Sequence, residues 1–190
     1  PLGELFEFLL KENKSIKSLY LELFDNKICL KNFFDLVQKF PTLQKLQLEC
    51  DNFEYRGLEK ILNEKYAQTI DCLSLVERKH FAEISHSNAV LLMYMIEQLE
   101  IKELSLILNS REIDMQVIKY ISDGVKSLKS LSSFNLIADV NFAFPLSTQC
   151  IVELKEYLQR KKINHCLNFG KKEIEEINLR QGRWYNFPFY

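Results

Sequence analysis

Apolar residues recur along this chain in one short pattern: apolar, two residues, apolar, one residue, apolar. It reads Ile16-x-x-Leu19-x-Leu21, Leu43-x-x-Leu46-x-Leu48, Ile70-x-x-Leu73-x-Leu75, Ile101-x-x-Leu104-x-Leu106 and Leu131-x-x-Phe134-x-Leu136. The middle positions are 19, 46, 73, 104 and 134, so the spacings are 27, 27, 31 and 30 residues. Near-constant spacing over five occurrences marks an internal repeat. The alternation at the end of each pattern predicts a short strand that turns its leucines to one side.

Between the strands lie segments of helical period. Residues 31–40 place Phe33, Phe34, Val37 and Phe40 on one helical face, and residues 58–66 do the same with Leu58, Ile61 and Leu62. Ser87-Asn88 is expected to cap a helix over 89–99, Asp114 one over 115–128, and Ser147 one running towards Lys161. Gly124 weakens the middle of the second of these. Each unit thus reads as strand, loop, helix and return loop. Neither half buries its apolar side alone, and stacked units make a parallel sheet backed by helices over one continuous core.

A strand–loop–helix repeat of this length resembles the leucine-rich repeat family, and the period with full helices resembles its ribonuclease-inhibitor-like subclass. The resemblance covers residues 5–165 and implies an α/β solenoid of five to six repeats, a curved parallel sheet with an outer helical layer. The third residue after the last strand leucine is usually Asn or Cys in that family. Here it is Phe24, Asp51, Arg78, Asn109 and Asp139. A doubly wound α/β domain also alternates strand and helix, but it needs longer Val/Ile runs and a Gly-rich first turn, and this sequence has neither.

The expected organisation is an N-terminal helix or cap over 1–15, repeats over 16–162, and a capping segment over 163–190. Pro1-Leu2-Gly3 resembles the remnant of a cleaved tag, so the natural chain is expected to begin earlier. Residues 163–169 suit a sixth strand poorly, because Asn168 would point inward. Ile174-x-x-Ile177-x-Leu179 fits the pattern better, and Gly170-Lys171-Lys172 suits a turn between the two. Terminal repeats are often atypical, because they cover an exposed core edge. The aromatic end, with Trp184, Tyr185, Phe187 and Phe189, reads either as that cap or as a docking peptide.

If the strand leucines face inward, the residues between them form three outward columns: Ser18, Lys45, Cys72, Glu103 and Ser133; Tyr20, Gln47, Ser74, Ser105 and Asn135; and Glu22, Glu49, Val76, Ile107 and Ile137. The second column is mostly small and polar, with Tyr20 as its one large anchor. The third changes from acidic to apolar, so Val76, Ile107 and Ile137 would form an apolar stripe, either exposed to a partner or covered by a loop or the aromatic tail. By resemblance, the concave face and its loops bind protein. The partner-binding residues expected there are Tyr20, Glu22, Lys45, Gln47, Glu49, Ser74, Val76, Ser105, Ile107, Asn135 and Ile137.

Composition narrows the remaining choices. The 190 residues carry 25 Lys+Arg and 26 Asp+Glu, and a net charge of -1 argues against a protein built mainly to hold nucleic acid. Residues 155–190 are basic, with 8 Lys+Arg against 4 Asp+Glu, and leave a nucleic-acid-associated complex as a weaker expectation. Five cysteines with no C-x-x-C pair read as reduced, packed thiols and favour an intracellular compartment, cytoplasmic or nuclear. No stretch is apolar enough to span a membrane. His80 and His86 lack the spacing of a helical metal pair, and His165 and Cys166 point to opposite sides of a strand. No phosphate-cradling glycine loop, nucleophile elbow or zinc-protease helix occurs. The expectation is therefore a non-catalytic protein-interaction scaffold with no cofactor, no metal and no small-molecule substrate. The rival is a recognition or regulatory module of an enzyme, such as a ubiquitin-ligase adaptor or a GTPase regulator.

Overall fold

The structure, a computed structural model, describes residues 2–12, 15–63, 70–78, 84–140 and 148–169; within these spans the side chains of 2, 6, 10, 12, 24–26, 61–63, 110–112, 139–140 and 148 are left out. The elements run α1 (Leu2–Glu12), β1 (Ser18–Cys29), α2 (Leu30–Val37), β2 (Lys45–Glu54), a 3-10 turn (Leu58–Asn63), β3 (Cys72–Glu77), α3 (His86–Gln98), β4 (Glu103–Ile113), α4 (Met115–Ser127), β5 (Ser133–Val140), α5 (Thr148–Arg160) and β6 (Asn164–Asn168).

Among the described residues the six strands are parallel and lie in sequence order, β1 to β6. The repeat sets the register. Leu19 lies beside Leu46, Leu46 beside Leu73, Leu73 beside Leu104 and Leu104 beside Phe134. The turns entering the strands repeat as well. The carbonyl of Lys17 accepts the N–H groups of Gln44 and Lys45, Asp71 those of Lys102 and Glu103, and Lys102 those of Ser132 and Ser133. Equal repeats therefore satisfy equal backbone groups, which is the full accounting that buried main chain requires.

The strand leucines and the inner faces of the helices share one core, which includes Phe33, Phe34, Phe40 and Phe134, all essentially inaccessible to solvent. Each such side chain is worth roughly 1.5–3 kcal/mol of transfer free energy. Alternation along the strands sends the three outward columns to the opposite face.

Several local expectations are corrected. The cap of α3 is Ser85, not Ser87-Asn88; its Oγ accepts the Asn88 N–H at 3.2 Å. Asp114 caps α4 as expected and accepts the Val117 N–H at 2.9 Å. The segment after Gly57 winds into a 3-10 turn over Leu58–Asn63 instead of a full α-helix. Helix α2 stops at Val37, and Phe40 is buried beyond its end. Strands β1, β2 and β4 outrun the short pattern. After an irregularity, Lys27, Ile28 and Cys29 pair again with Asn52, Phe53 and Glu54, and Ile113 pairs with Val140. In β6, Asn168 pairs with Ile137 and so points outward. His165, beside Phe134, takes the inward place instead. The cap expected at Ser147, the second segment at Ile174–Leu179 and the aromatic end with Trp184, Tyr185, Phe187 and Phe189 lie outside the described residues.

Candidate functional site

On the face opposite the helices, β1 and β2 carry a polar patch open to water. Tyr20 and Glu22 stand two residues apart on β1, and the register sets Gln47 and Glu49 beside them. Two carboxylates side by side repel each other across a strand pair. Arg78, just beyond β3, resolves this. Its Nε donates to Glu49 Oε1 at 2.7 Å, and its terminal nitrogen donates to Glu22 Oε1. The Tyr20 hydroxyl lies 3.1 Å from Glu22 Oε2 and 3.1 Å from Glu49 Oε2, and its single proton serves one of them at a time.

These contacts fix the protonation states. The bond from Arg78 holds the Glu22 carboxyl below its ordinary range against the opposing effect of burial. Partial burial, with the Glu49 charge and the Glu22 bond beside it, holds the Tyr20 hydroxyl well above the phenol range. Burial works against the Arg78 charge, and the bonds to Glu49 and Glu22 outweigh it. Glu22 is therefore held ionised, Arg78 charged and Tyr20 a neutral phenol. Tyr20 stays 39% exposed above this rigid base. That arrangement suits recognition better than proton transfer, because each acid or base is already committed to a neighbour.

On the other half of this face the second of the two expected arrangements holds, burial of the apolar stripe. Val76, Ile107 and Ile137 are not an exposed stripe; they are 2–5% accessible and form a small cluster separate from the main core. Ser74 and Ser105 are buried too, and the half-buried Asn135 donates to Ser105 Oγ at 3.0 Å. Of the expected set, Tyr20, Glu22, Lys45, Gln47, Glu49 and Asn135 remain exposed or half-exposed, and Arg78 stands beside them.

The sequence reading passed over Glu77. It occupies the inward row that also holds Leu23, Cys50, Leu108 and Ala138, and it is 2% exposed. Its Oε1 accepts the Phe53 N–H at 3.2 Å, and the Asn109 N–H donates to the same carboxyl. Burial pushes this acid up to about 8, against those two bonds. A charged residue type in an otherwise apolar row of the repeat was the signal for it. Arg78 was noted only as a departure from the family's Asn or Cys, and Asn109 as a match. Asn109 does make the loop bond, from Nδ2 to the Arg78 carbonyl at 2.5 Å.

Other candidates carry little. His86 opens α3 and bridges to Asp114 Oδ2 at 2.7 Å, fastening two helix starts together. Cys72 is pushed up to about 12 by burial and Glu103, so it is a poor nucleophile. Among the described residues, no group of three or more His, Cys, Asp or Glu could hold a metal ion. No described helix is long and apolar enough to cross a membrane. No family model, curated protein or solved structure matches the chain.

Proposed function

We propose that this chain is a non-catalytic interaction module of the leucine-rich repeat type, whose repeats stack as a solenoid and whose open sheet face receives a protein partner. The observation that carries the reading is the patch at β1 and β2, where Tyr20 stands exposed on a pre-organised base of Glu22, Glu49 and Arg78. A tyrosine has only two side-chain torsions to fix, and both are restricted here, so little entropy remains to be lost on docking. The even register of the apolar repeat supports the solenoid. The saturated hydrogen bonding of the patch supports binding over catalysis.

The test is affinity purification of the natural protein from its own cells, wild type against Tyr20→Ala, with mass spectrometry of what co-purifies. A stoichiometric partner should be lost from the variant while circular dichroism and thermal unfolding stay unchanged. A hot-spot tyrosine is worth about 2 kcal/mol or more, which is roughly a 30-fold loss of affinity. Full retention by a variant that combines Tyr20→Ala, Gln47→Ala and Glu49→Gln would end the reading.

A further inference from the structure

The first residue of each later strand donates its N–H to the residue just before the preceding strand. Lys45 donates to the Lys17 carbonyl, Cys72 to that of Gln44, Glu103 to Asp71, Ser133 to Lys102 and Asn164 to Ser132, all at 2.8–3.1 Å. Ser18 holds the same register position in β1, and among the described residues no strand precedes it. In a parallel ladder the N–H and C=O of one residue point to the same side, and the side alternates along the strand. Leu19 and Leu21 therefore turn theirs towards β2, whereas Ser18 and Glu22 turn theirs towards the sheet edge. The edge at β6 is short, five residues, and carries His165 in its inward row. Short, polar edges resist further pairing. β1 runs for 12 residues, and from Ser18 to Leu23 it has neither Pro nor Lys to blunt it. Its inward leucines are also less covered than their row neighbours: Leu19 and Leu21 are 8–9% exposed, against 0–2% for Leu46, Leu48, Leu73 and Leu75. Helix α1, which packs on the core through Leu9, leaves Leu5 and Phe8 exposed.

Resting on the interaction reading above, we propose that the edge of β1 takes an extended segment of the protein partner as an added parallel strand, with apolar residues beside Leu19 and Leu21 and a Lys or Arg beside Glu22. In strand addition the main-chain bonds supply affinity and the alternate side chains supply specificity. The inward row fixes the apolar positions, because a residue beside Leu19 or Leu21 continues the leucine row of the core. Glu22 fixes the charge. Its row neighbour on β2 is another acid, Glu49, and a strand on its other side meets it directly. Opposite charges at directly opposed positions are favourable and like charges are not. An ionised carboxylate accepts about four hydrogen bonds. Glu22 accepts from Arg78 and Tyr20, so a cation arriving from the edge leaves Arg78 in place. The added strand runs alongside Tyr20, and one partner reads both the edge and the ring.

The test titrates the whole chain, labelled with 15N, with the capped peptide Thr-Val-Thr-Val-Arg-Val-Thr, whose Arg falls beside Glu22 when its first Thr lies beside Ser18. Amide-exchange protection of Ser18 and Glu22 should rise roughly 10-fold, and replacing the Arg by Glu should weaken binding by about 10-fold. N-methylation of the Val beside Leu21 removes a donor aimed at β1 and should abolish binding, whereas N-methylation of the Thr beside Tyr20 should not. Equal effects of the two methyl groups, or no gain in protection at Ser18 and Glu22, would overturn the strand addition. Ser18→Pro removes an N–H that faces away from β2, so it should keep the wild-type melting temperature and lose the peptide. If that variant fails to fold, the pair of methylated peptides decides. The natural partner gives a separate arm: its loss from both Tyr20→Ala and Ser18→Pro supports the edge, and its loss from Tyr20→Ala alone overturns the edge but leaves the interaction reading standing. Retention by both variants ends both. A dimer of the chain that Ser18→Pro dissociates would also overturn it, because the edge would then belong to a second copy.

Discussion

Replacing Gly124 with alanine is expected to destabilise the protein, although intrinsic helix propensity favours alanine by roughly 1 kcal/mol at an interior position. The reason is the contact between α3 and α4. A Cβ at position 124 would lie 2.5 Å from Met93 Cβ and 2.7 Å from its Cγ, inside any real carbon–carbon contact. Those atoms are the stem of Met93, not its flexible end, and Met93 itself is 3% exposed. Relief requires α3 and α4 to separate by about 1 Å, in a layer packed as densely as an organic crystal. Overpacking of this kind costs typically 1–3 kcal/mol. Set against the propensity gain of about 1 kcal/mol, the net loss should reach up to about 2 kcal/mol, and each kcal/mol moves the melting temperature of a chain this size by about 2–4 °C. Urea titration followed by circular dichroism measures it. Met93→Ala in the same background should give incomplete relief, because its Cβ remains at 2.5 Å. A Gly124→Ala protein as stable as wild type, or more so, would refute the packing argument and show that propensity decides.

Glu77 makes stability depend on pH with a definite sign. Its acid titrates near 4.5 unfolded and near 8 folded, so the native state holds the extra proton between those values. Its contribution is therefore intact below pH 4.5, falls by up to about 1.4 kcal/mol per pH unit across the window, and levels off above 8. Urea midpoints for wild type and Glu77→Gln at pH 5 to 9 should diverge accordingly, and parallel curves would contradict it. Gly57 has φ +84, and a Cβ there would meet Lys31 only at an ordinary 3.9 Å, so Gly57→Ala should cost about 1 kcal/mol through backbone strain, read by the same titration. Lys162 also sits in the left-handed region, at φ 58, where Ile163 N–H donates to the Leu158 carbonyl and Lys162 N–H to that of Gln159. Lys162→Gly should thus stabilise α5 by about 0.5 kcal/mol, and a lower melting temperature would count against it. Cys50 is fully buried, with its thiol pushed up to about 12, whereas Cys166 is exposed; maleimide should label Cys166 at once and Cys50 only on unfolding, as peptide mass spectrometry will report.

Much of this architecture was legible in the chain because the repeat fixes register. Leu19, Leu46, Leu73, Leu104 and Phe134 had to fall side by side once equal units were stacked in parallel, and they do. The second segments of β1 and β2 were not legible. Lys27 to Cys29 pair with Asn52 to Glu54 only after an irregularity, and their residue types carry no clean alternation. The turn at Leu58 resembles a helix in its spacing, but Gly57 enters it with a left-handed backbone. On the candidate site, Tyr20, Glu22 and Glu49 could be placed because a strand's period of two is strict. Arg78 could not, because its reach back across two strands depends on side-chain direction as well as register. The burial of Val76, Ile107 and Ile137 depends on what covers a sheet face, which strand periodicity does not encode.

The two faces of the sheet are joined at Glu77 and Arg78, consecutive residues whose side chains point opposite ways. The register sets Glu22 and Glu49 side by side, and Arg78 offsets their repulsion by bridging them, so the patch under Tyr20 rests on one cation. A partner that inserted its own cation between the carboxylates would have to displace Arg78, leaving a guanidinium that is only partly exposed without its acceptors, an expensive exchange for a marginal gain. A partner that packs on the Tyr20 ring displaces nothing and finds its base already ordered. The geometry therefore favours docking on the ring. It also gives the backbone around Arg78 a controlling role that the ring alone would lack: Arg78 is held by the Cys50 carbonyl on one side and Asn109 on the other, and those same strand ends are gathered by the Glu77 carboxyl one residue before it.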